Sequence, residues 1–194
     1  HGARPESGVD PVVVASHITT ALQSIVSRNV RPLDTCVVSV TQIHAGDAYN
    51  VIPEKAVLRG TVRSFSKAVM SLVEERMRRI AEGVAQGFGA TAALDFRNLF
   101  PPLVNHDEET KFIADAAAEI VGEENMNRNG GTVMASEDFS YMLEKVPGAY
   151  IQIGNGDGEG ACEVHNPGYD FNDGALPFGA SLFATLVERR LARM

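Results

Sequence analysis

The sequence predicts a mixed α/β protein in two parts, a ferredoxin-like βαββαβ unit followed by the C-terminal portion of an α/β domain. Stretches with helical and strand periodicity follow one another over residues 11–99 in the order helix, strand, strand, helix, strand. This is the order of a βαββαβ unit if a further strand precedes His1. Pro101 and Pro102 then interrupt the pattern, and helix, strand and helix follow.

The first unit contains two predicted helices. The first covers residues 11–28, because Asp10 is a favourable N-cap, Pro11 suits the first turn, and apolar residues then recur at helical spacing. The second begins after Ser66, another N-cap type, and continues to about Gly87. The apolar residues on one face of this second helix are Val69, Leu72, Val73, Met77, Ile80 and Val84. Each helix therefore has one side to bury.

Three strands complete the predicted unit, at residues 35–43, 56–65 and 91–99. The first is rich in β-branched residues, and the other two alternate apolar and polar residues as half-buried strands do. We expect an antiparallel sheet with both helices on one face. The other face and one edge of such a sheet are free to pair with another subunit.

The double proline is the predicted boundary between two domains, residues 1–105 and residues 106–194. After it, a helix is predicted from residue 106 to residue 121, a short buried strand at residues 149–154, and a closing helix at residues 174–193. Leu182, Leu186 and Leu191 are expected to point inward from the closing helix. A single strand is too little for a complete sheet, so the other strands of this domain are expected upstream of His1.

Composition argues against several classes of function. The 194 residues are 44% apolar, enough for a core, and their net charge of -8 argues against nucleic-acid binding. No apolar run approaches the roughly 20 residues that a bilayer span needs, and no signal peptide is visible, so we expect no membrane partner and a cytoplasmic location. Two cysteines exclude a disulfide framework or a cysteine zinc knuckle. Any metal must be held mainly by histidine and carboxylate side chains.

His165 is the first candidate metal ligand. It lies in a glycine-rich stretch with Cys162, Asp170 and Asp173, and the following Asn166-Pro167 is expected to hold its backbone extended. Neutral imidazole is a favoured zinc ligand, and either aspartate could fix its tautomer. A surface or hydrogen-bonding histidine is the alternative, since a zinc site needs three or four donors and the sequence shows no second cluster.

A second glycine-rich region precedes a predicted helix start. Ser136 is expected to cap a helix whose first turn contains Glu137 and Asp138. Capping and charge complementarity with the helix dipole account for this pattern. They are favoured over the alternative, in which this helix end and residues 130–132 hold a metal or substrate near His165.

Asn50 and Arg63 are candidates for substrate contacts. Asn50 ends a polar loop, where its carboxamide could bond a substrate carbonyl or carboxylate, although asparagine is also common in turns. Arg63 shares one strand face with Thr61 and Arg59, and such an arginine is more often solvated or salt-bridged than a carboxylate clamp. The sequence contains no nucleophile elbow, P-loop or dinucleotide-binding motif.

Eight short blocks follow one another along the chain. They are residues 1–3 (HGA), 10–11 (DP), 22–30 (LQSIVSRNV), 50–53 (NVIP), 60–63 (GTVR), 101–105 (PPLVN), 134–139 (MASEDF) and the HNP and FND of residues 165–173. In this order they resemble the M20 metallopeptidase family. Within it, the resemblance is to the amidohydrolase branch, hippurate hydrolases and related N-acyl-amino-acid hydrolases.

This resemblance implies a two-domain subunit. A zinc-peptidase-like α/β catalytic domain with two divalent metal ions, zinc or manganese, is interrupted by a ferredoxin-like lid domain that mediates homodimerisation. Residues 1–105 then correspond to the lid, and residues 106–194 to the C-terminal part of the catalytic domain. The implied substrate is a small N-acyl amino acid.

The resemblance also implies roles for four residues. His165 corresponds to a metal-binding histidine, and His1 to the lid histidine that reaches a neighbouring active site and stabilises the oxyanion of the tetrahedral intermediate. Asn50 and Arg63 correspond to lid positions suited to substrate carboxylate or carbonyl contacts. The family's other metal ligands, and the glutamate that deprotonates the metal-bridged water for attack on the amide, precede His1. The metal site is therefore expected to be incomplete and the chain alone inactive.

Two alternatives remain open. One is a non-catalytic dimerisation or ligand-binding module that retains the lid. The other is an M20 dipeptidase, which differs in substrate only. The block at residues 134–139 resembles hippurate hydrolases more than dipeptidases.

Overall fold

A computed structural model describes residues 1–191, which form two compact units. The first unit contains His1–Pro102 together with Val133–Glu137. The second contains Leu103–Thr132 and the residues from Asp138 onward. Together they make a mixed α/β protein, and each unit is described in turn.

The first helix of the first unit, α1, extends over Pro11–Ser24 and confirms the predicted helix. The Asp10 carboxylate caps it by accepting a hydrogen bond from the backbone N–H of Val12 at 2.8 Å. A π-helical turn, Ile25–Asn29, replaces the last turn that the sequence predicts as α-helix. This wider turn buries Ile25 completely, so it continues the apolar side of α1 into the core.

The two strands β1, Cys36–Ala45, and β2, Ala56–Ser64, form an antiparallel hairpin close to the predicted positions. A bulge between Val40 and Gln42 interrupts the register. Gly60 lies opposite Val40, where there is no room for a side chain, because a Cβ at this position would lie 2.1 Å from the carbonyl oxygen of Ser39. Only glycine permits this close approach of the two backbones.

The second helix, α2, extends over Lys67–Gly87, as predicted, and the Ser66 hydroxyl accepts a hydrogen bond from the backbone N–H of Val69. Both α1 and α2 pack on the same hairpin. The core of this unit joins their apolar sides to the sheet. Its buried members are Val14, Ile18, Leu22, Ile25, Val30, Cys36, Val38, Val69, Val73 and Ala85.

The predicted third strand, residues 91–99, does not join the sheet; among the described residues the sheet has two strands. The segment does alternate, since Ala92, Leu94 and Phe96 are half-buried between exposed neighbours. Its carbonyl at Leu94 accepts a hydrogen bond from Arg78 Nη1 of α2 at 3.3 Å instead of from a neighbouring strand. Alternation reports burial on one side, whereas a strand also requires a hydrogen-bonded partner. The complete βαββαβ arrangement therefore stays a prediction.

The described residues of the second unit form three α-helices, α3 (Asp107–Val121), α4 (Phe139–Leu143) and α5 (Leu176–Arg190). α3 confirms the prediction, and α5 follows a 3-10 turn at Asp173–Ala175; the predicted end at Arg193 lies outside the described residues. A small core joins α3 to α5. Its buried members are Ala116, Ala117 and Leu182, with Leu186 half-buried against them.

Leu191, which was predicted to point inward, is exposed instead. The residue is 67% exposed, because it lies nine residues after Leu182, which at 3.6 residues per turn places it on the opposite side of the helix. Phe183 and Val187 are also mostly exposed. None of the helices in residues 1–191 is both long and apolar enough to cross a membrane.

Residues 149–154, predicted as a buried strand, have no strand partner in the described part of the chain. Ile151 does pack against the small core. The neighbouring backbone of Tyr150 is paired by a side chain: Asn105 Nδ2 donates to the Tyr150 carbonyl at 2.9 Å, and the Tyr150 N–H donates to Asn105 Oδ1 at 2.8 Å. A carboxamide thus takes the place of a neighbouring strand at this residue.

Candidate functional site

The structure brings two of the candidate residues together, His1 and Asn50. The backbone N–H of Gly2 donates a hydrogen bond to the Asn50 carbonyl at 2.7 Å. The chain then turns back on itself, since the Arg4 N–H donates to the His1 carbonyl at 2.8 Å and the Ala3 N–H to His1 Nδ1 at 3.1 Å. Residues near a chain end are often poorly ordered, but these bonds hold His1 beside the β1–β2 loop.

Gly2 favours this arrangement. A Cβ at Gly2 would lie 3.0 Å from the Asn50 carbonyl oxygen and 3.3 Å from its carbon, closer than ordinary contact. A side chain at this position would therefore push the two backbones apart by a few tenths of an ångström. The sequence signal for it is the glycine directly after His1.

Both side chains of this pair can still bind a ligand. Asn50 and His1 are exposed, and neither the Asn50 carboxamide nor His1 Nε2 has a hydrogen-bond partner among the described residues. An imidazole N–H and a carboxamide can each donate to a carbonyl or carboxylate oxygen. Each of the two side chains can therefore present a donor to a small polar ligand.

Arg63 lies elsewhere on the hairpin. Arg63 pairs with Val37 and lies seven residues after Ala56, where β2 leaves the β1–β2 loop. Seven residues span ~23 Å along a strand. Its Nη1 donates to the carbonyl of the neighbouring Val62 at 2.9 Å, and the side chain is half-buried. Within this chain, Arg63 and the His1–Asn50 pair do not share one site.

His165, in the second unit, lies in a tight turn. The Asn166 N–H donates to the Glu163 carbonyl at 3.1 Å, and the Tyr169 N–H to the Asn166 carbonyl at 3.0 Å. His165 has a φ of 72°, so the predicted extended backbone is wrong at this residue. The restriction imposed by Pro167 acts on Asn166, directly before it, and leaves His165 free to turn. Left-handed backbone at a non-glycine residue is often associated with functional sites.

The described residues do not complete a metal site. No group of three or more histidine, cysteine, aspartate or glutamate side chains in residues 1–191 is placed to hold a metal ion. The exposed His165 ring also has no hydrogen bond to Asp170 or Asp173, so the expected fixing of its tautomer is not present. One imidazole does not make a zinc site, which needs three or four donors.

The predicted helix start at Ser136 is wrong. The helix α4 begins at Phe139, has Asp138 at its N-cap position, and has no side-chain cap hydrogen bond. It is only five residues long. A helix of this length has little dipole, so its N-terminus offers no support for a bound metal or substrate.

The carboxyl groups with lowered pKa values belong to ion pairs and not to the candidate site residues. The Arg128 guanidinium hydrogen-bonds Glu123 and lowers the pKa of that carboxyl, while its Nη1 bonds Asp115 at 2.8 Å. Arg31 likewise lowers the pKa of Asp34, chiefly through their hydrogen bonds. Burial raises the pKa of the Cys36 thiol in β1. Arg128 joins its own segment to α3 through Asp115, the pair of Arg31 and Asp34 is local, and Cys36 is a core residue, so all of them lie outside the candidate site.

Two residues that sequence reasoning missed are Asn155 and Asn172, which close the loop that contains His165. Their side chains and backbones bond each other across 17 residues of sequence. The sequence signal was an asparagine at each end of the glycine-rich stretch, in Gly-Asn-Gly and in Phe-Asn-Asp. Asparagines commonly bond backbone groups in such positions.

Comparison with known proteins identifies relatives over almost the whole chain. The model of peptidase family M20/M25/M40 matches residues 3–189. The chain is 38% identical over 191 residues to the hippurate hydrolase of Campylobacter jejuni, covering 98% of this chain and 49% of that protein. It is 36% identical over 186 residues to the N-acetylcysteine deacetylase of Bacillus subtilis, covering 96% and 47%.

A solved structure supports the same relationship. The YXEP protein of Bacillus subtilis, described as a dinuclear metal-binding peptidase from the M20 family, aligns with a TM-score of 0.63 and 32% identity. The alignment covers 92% of this chain and 45% of that one. The chain thus spans about half the length of the relatives that it matches. On this evidence of sequence and fold, the chain belongs to peptidase family M20/M25/M40.

Proposed function

We propose that this chain is part of a metal-dependent amidohydrolase that cleaves the amide bond of N-acyl amino acids, with hippurate as the model substrate. The observation that carries the proposal is the family match over residues 3–189 together with the two curated relatives. Hippurate and N-acetylcysteine are both amino acids acylated on nitrogen. The shared chemistry is hydrolysis of that amide bond.

We further propose that residues 1–105 are a ferredoxin-like lid and dimerisation domain, and that residues 106–194 are the C-terminal part of the catalytic domain. Support comes from the division of the chain into two compact units. The boundary at Pro102 and Leu103 lies close to the predicted one. The hairpin covered on one face by α1 and α2 is also in keeping with such a lid. A homodimer through the lid is part of this proposal.

Four side chains receive roles in the proposal. His165 supplies one imidazole to a site for zinc or manganese, which the residues described cannot complete alone. His1 donates a hydrogen bond to the oxyanion of the tetrahedral intermediate, and Asn50 orients the substrate carbonyl or carboxylate. Arg63 contacts the carboxylate or carbonyl of a substrate bound in a site other than the one that His1 and Asn50 of the same chain serve. The exposed side chains of His1 and Asn50, whose segments are joined by the backbone bond between Gly2 and Asn50, support the first two roles.

The proposal is tested by hippurate hydrolysis. The 194-residue chain is assayed with zinc, with manganese and with a chelator, and the complete subunit is assayed in parallel with hippurate and with a dipeptide. We expect no turnover by the chain alone and chelator-sensitive hippurate cleavage by the complete subunit. Chelator-sensitive turnover by the 194 residues themselves, or dipeptide cleavage without hippurate cleavage by the complete subunit, would contradict the proposal.

Substitutions in the complete subunit test the role of His165. His165→Gln is expected to lower both bound metal and turnover, the turnover by roughly 100-fold or more, since even partners of metal ligands cost about 10–100-fold when replaced. His44→Gln is the matched control, because His44 is an exposed strand histidine with a single long contact to Gln42. Equal metal content in the two variants would remove His165 from the metal site.

A further inference from the structure

The loop that contains His165 is closed at its base by two asparagines. Asn172 N–H donates to Asn155 Oδ1 at 2.8 Å, and Asn172 Nδ2 donates to the Asn155 carbonyl at 3.3 Å. Asn155 Nδ2 donates in turn to the carbonyl of Asp170 at 2.8 Å. Because each carboxamide atom faces a backbone group of fixed polarity, the orientation of both side chains is determined. We refer to Asn155 and Asn172 as the amide latch.

Further bonds continue from the latch toward the tip of the loop. The Asp170 N–H donates to the Gly160 carbonyl at 3.0 Å. Gly160 has a φ of 83°, and a Cβ there would lie 2.7 Å from Asp170 Cβ, so no side chain fits at this crossing. Beyond it, Asn166 Oδ1 accepts from the Gly168 N–H at 2.9 Å and helps to form the turn that contains His165. The base, the middle and the tip of the loop are therefore connected.

The backbone of His165 needs such support. A non-glycine residue with a φ of 72° is in an unfavourable conformation that persists only where surrounding bonds impose it. Residues 156–171 are rich in glycine and contain no helix longer than one turn and no strand. Without closure, such a segment samples many conformations and presents its histidine in few of them correctly.

We propose that Asn155 and Asn172 are positioning residues that close residues 156–171 into one conformation and thereby hold the imidazole of His165 in place. The inference rests on the proposed function, in which His165 is a metal ligand. The asparagines themselves contact neither metal nor substrate in this proposal. They act through the backbone of the loop, as residues that orient a ligand do.

Hydrogen exchange of the 194-residue chain tests the latch directly. In Asn155→Ala, amides of residues 156–171 are expected to exchange about tenfold faster, since two hydrogen bonds that oppose opening of the loop are lost. Asn155→Asp keeps the acceptor for the Asn172 N–H and loses only the donor to Asp170, so its exchange should be intermediate. Asn172→Ala loses only the bond from Nδ2 to the Asn155 carbonyl and keeps the bond from its backbone N–H, so its exchange should be intermediate as well.

The control variant is Asn127→Ala. Asn127 is an exposed asparagine of the same unit whose Oδ1 accepts from the Asn129 N–H, so it makes a similar local turn without closing the loop. We expect exchange in residues 156–171 to stay at the wild-type rate. Amides of α3 and α5 should keep their protection in every variant, which shows that the unit stays folded.

A second readout concerns the histidine itself. The imidazole NMR signals of His165 are expected to move in Asn155→Ala toward those of a histidine in a flexible peptide, and to return part of the way in Asn155→Asp. Those of His44 should not move. Wild-type exchange in Asn155→Ala, or unchanged His165 signals despite faster exchange, would overturn the positioning role.

Failure of the latch and failure of the proposed function give different results. If His165→Gln leaves metal binding in the complete subunit intact, the metal-ligand role fails while the exchange data still decide whether the latch closes the loop. If the latch variants exchange as the wild type does, the latch fails while the His165→Gln result stands. In the complete subunit, Asn155→Ala is expected to reduce bound metal, and Asn127→Ala to leave it unchanged.

Discussion

Replacing Gly60 with alanine is expected to disrupt the β1–β2 hairpin. The added Cβ would lie 2.1 Å from the carbonyl oxygen of Ser39, whereas Cβ contacts shorter than 3.0 Å are essentially never observed. The two backbones must therefore separate by about 0.9 Å at this point. The obstructing atom belongs to the backbone of the paired strand, so no rotation of a side chain can relieve the clash.

The cost of Gly60→Ala follows from this geometry. Overpacking of a well-packed site costs about 1–3 kcal/mol, and each ladder hydrogen bond lost with the separation adds roughly 1 kcal/mol. We expect the free energy of unfolding to fall by about 3 kcal/mol in total. With a urea dependence of about 2 kcal/mol per molar, the midpoint should fall by about 1.5 M.

Gly83→Ala is the matched control, because Gly83 lies within α2 and an added Cβ meets no atom within 4 Å. It should raise the stability by roughly 0.5–1 kcal/mol, since alanine favours the helix over glycine. Unfolding is followed by the amide NMR signals of β1 and β2, because two units need not unfold together. A midpoint for Gly60→Ala within about 0.3 M of the wild type would refute the reasoning, as would equal effects of the two substitutions.

Two further predictions concern ionisable groups. Arg128→Ala should raise the pKa of Glu123 toward its usual range, because the hydrogen bond to Arg128 lowers it. The stability that this pair adds should be present above about pH 4.5 and should disappear as the pH falls through the lowered pKa of Glu123. NMR titration of Glu123 and unfolding at several pH values measure this. A stability that rises as the pH falls over this range would contradict the prediction. Cys36, buried and with a raised thiol pKa, should react with iodoacetamide far more slowly than the half-buried Cys162. In denaturant the two rates should converge, and equal rates in the folded protein would contradict the prediction.

Local sequence signals predicted the helices well because their causes are local. Asp10 and Ser66 cap the helices that the apolar periodicity indicates, and both caps are present. The paired strands 35–43 and 56–65 were also predicted close to their positions, since the hairpin joins neighbours in sequence. Ser136 was misjudged as a cap, because a suitable residue type does not create a helix where only five residues follow in helical form.

Non-local pairing could not be obtained from the same signals. Residues 91–99 alternate and residues 149–154 are apolar, as strands are, but neither segment pairs with a strand within residues 1–191. The Leu94 carbonyl bonds the Arg78 guanidinium, and the Tyr150 carbonyl bonds the Asn105 carboxamide. Which group pairs with a backbone carbonyl depends on tertiary contacts. Sequence spacing could not predict that His1 lies close to Asn50, because one backbone hydrogen bond joins these segments, which are far apart in sequence. The positive φ of His165 was missed because the restriction by proline applies one residue later.

The outer side of α5 has a practical consequence for work in solution. Phe183 and Val187 of α5, and Leu191 directly after it, expose 71%, 56% and 67% of their surface, and exposed apolar side chains promote self-association. The net charge of -8 opposes association, because like-charged molecules repel one another. Salt shortens the range of that repulsion, to about 3 Å at 1 M ionic strength, and leaves the apolar attraction in place. The chain should therefore be most monomeric in dilute, low-salt buffer, and high salt should drive it into larger particles.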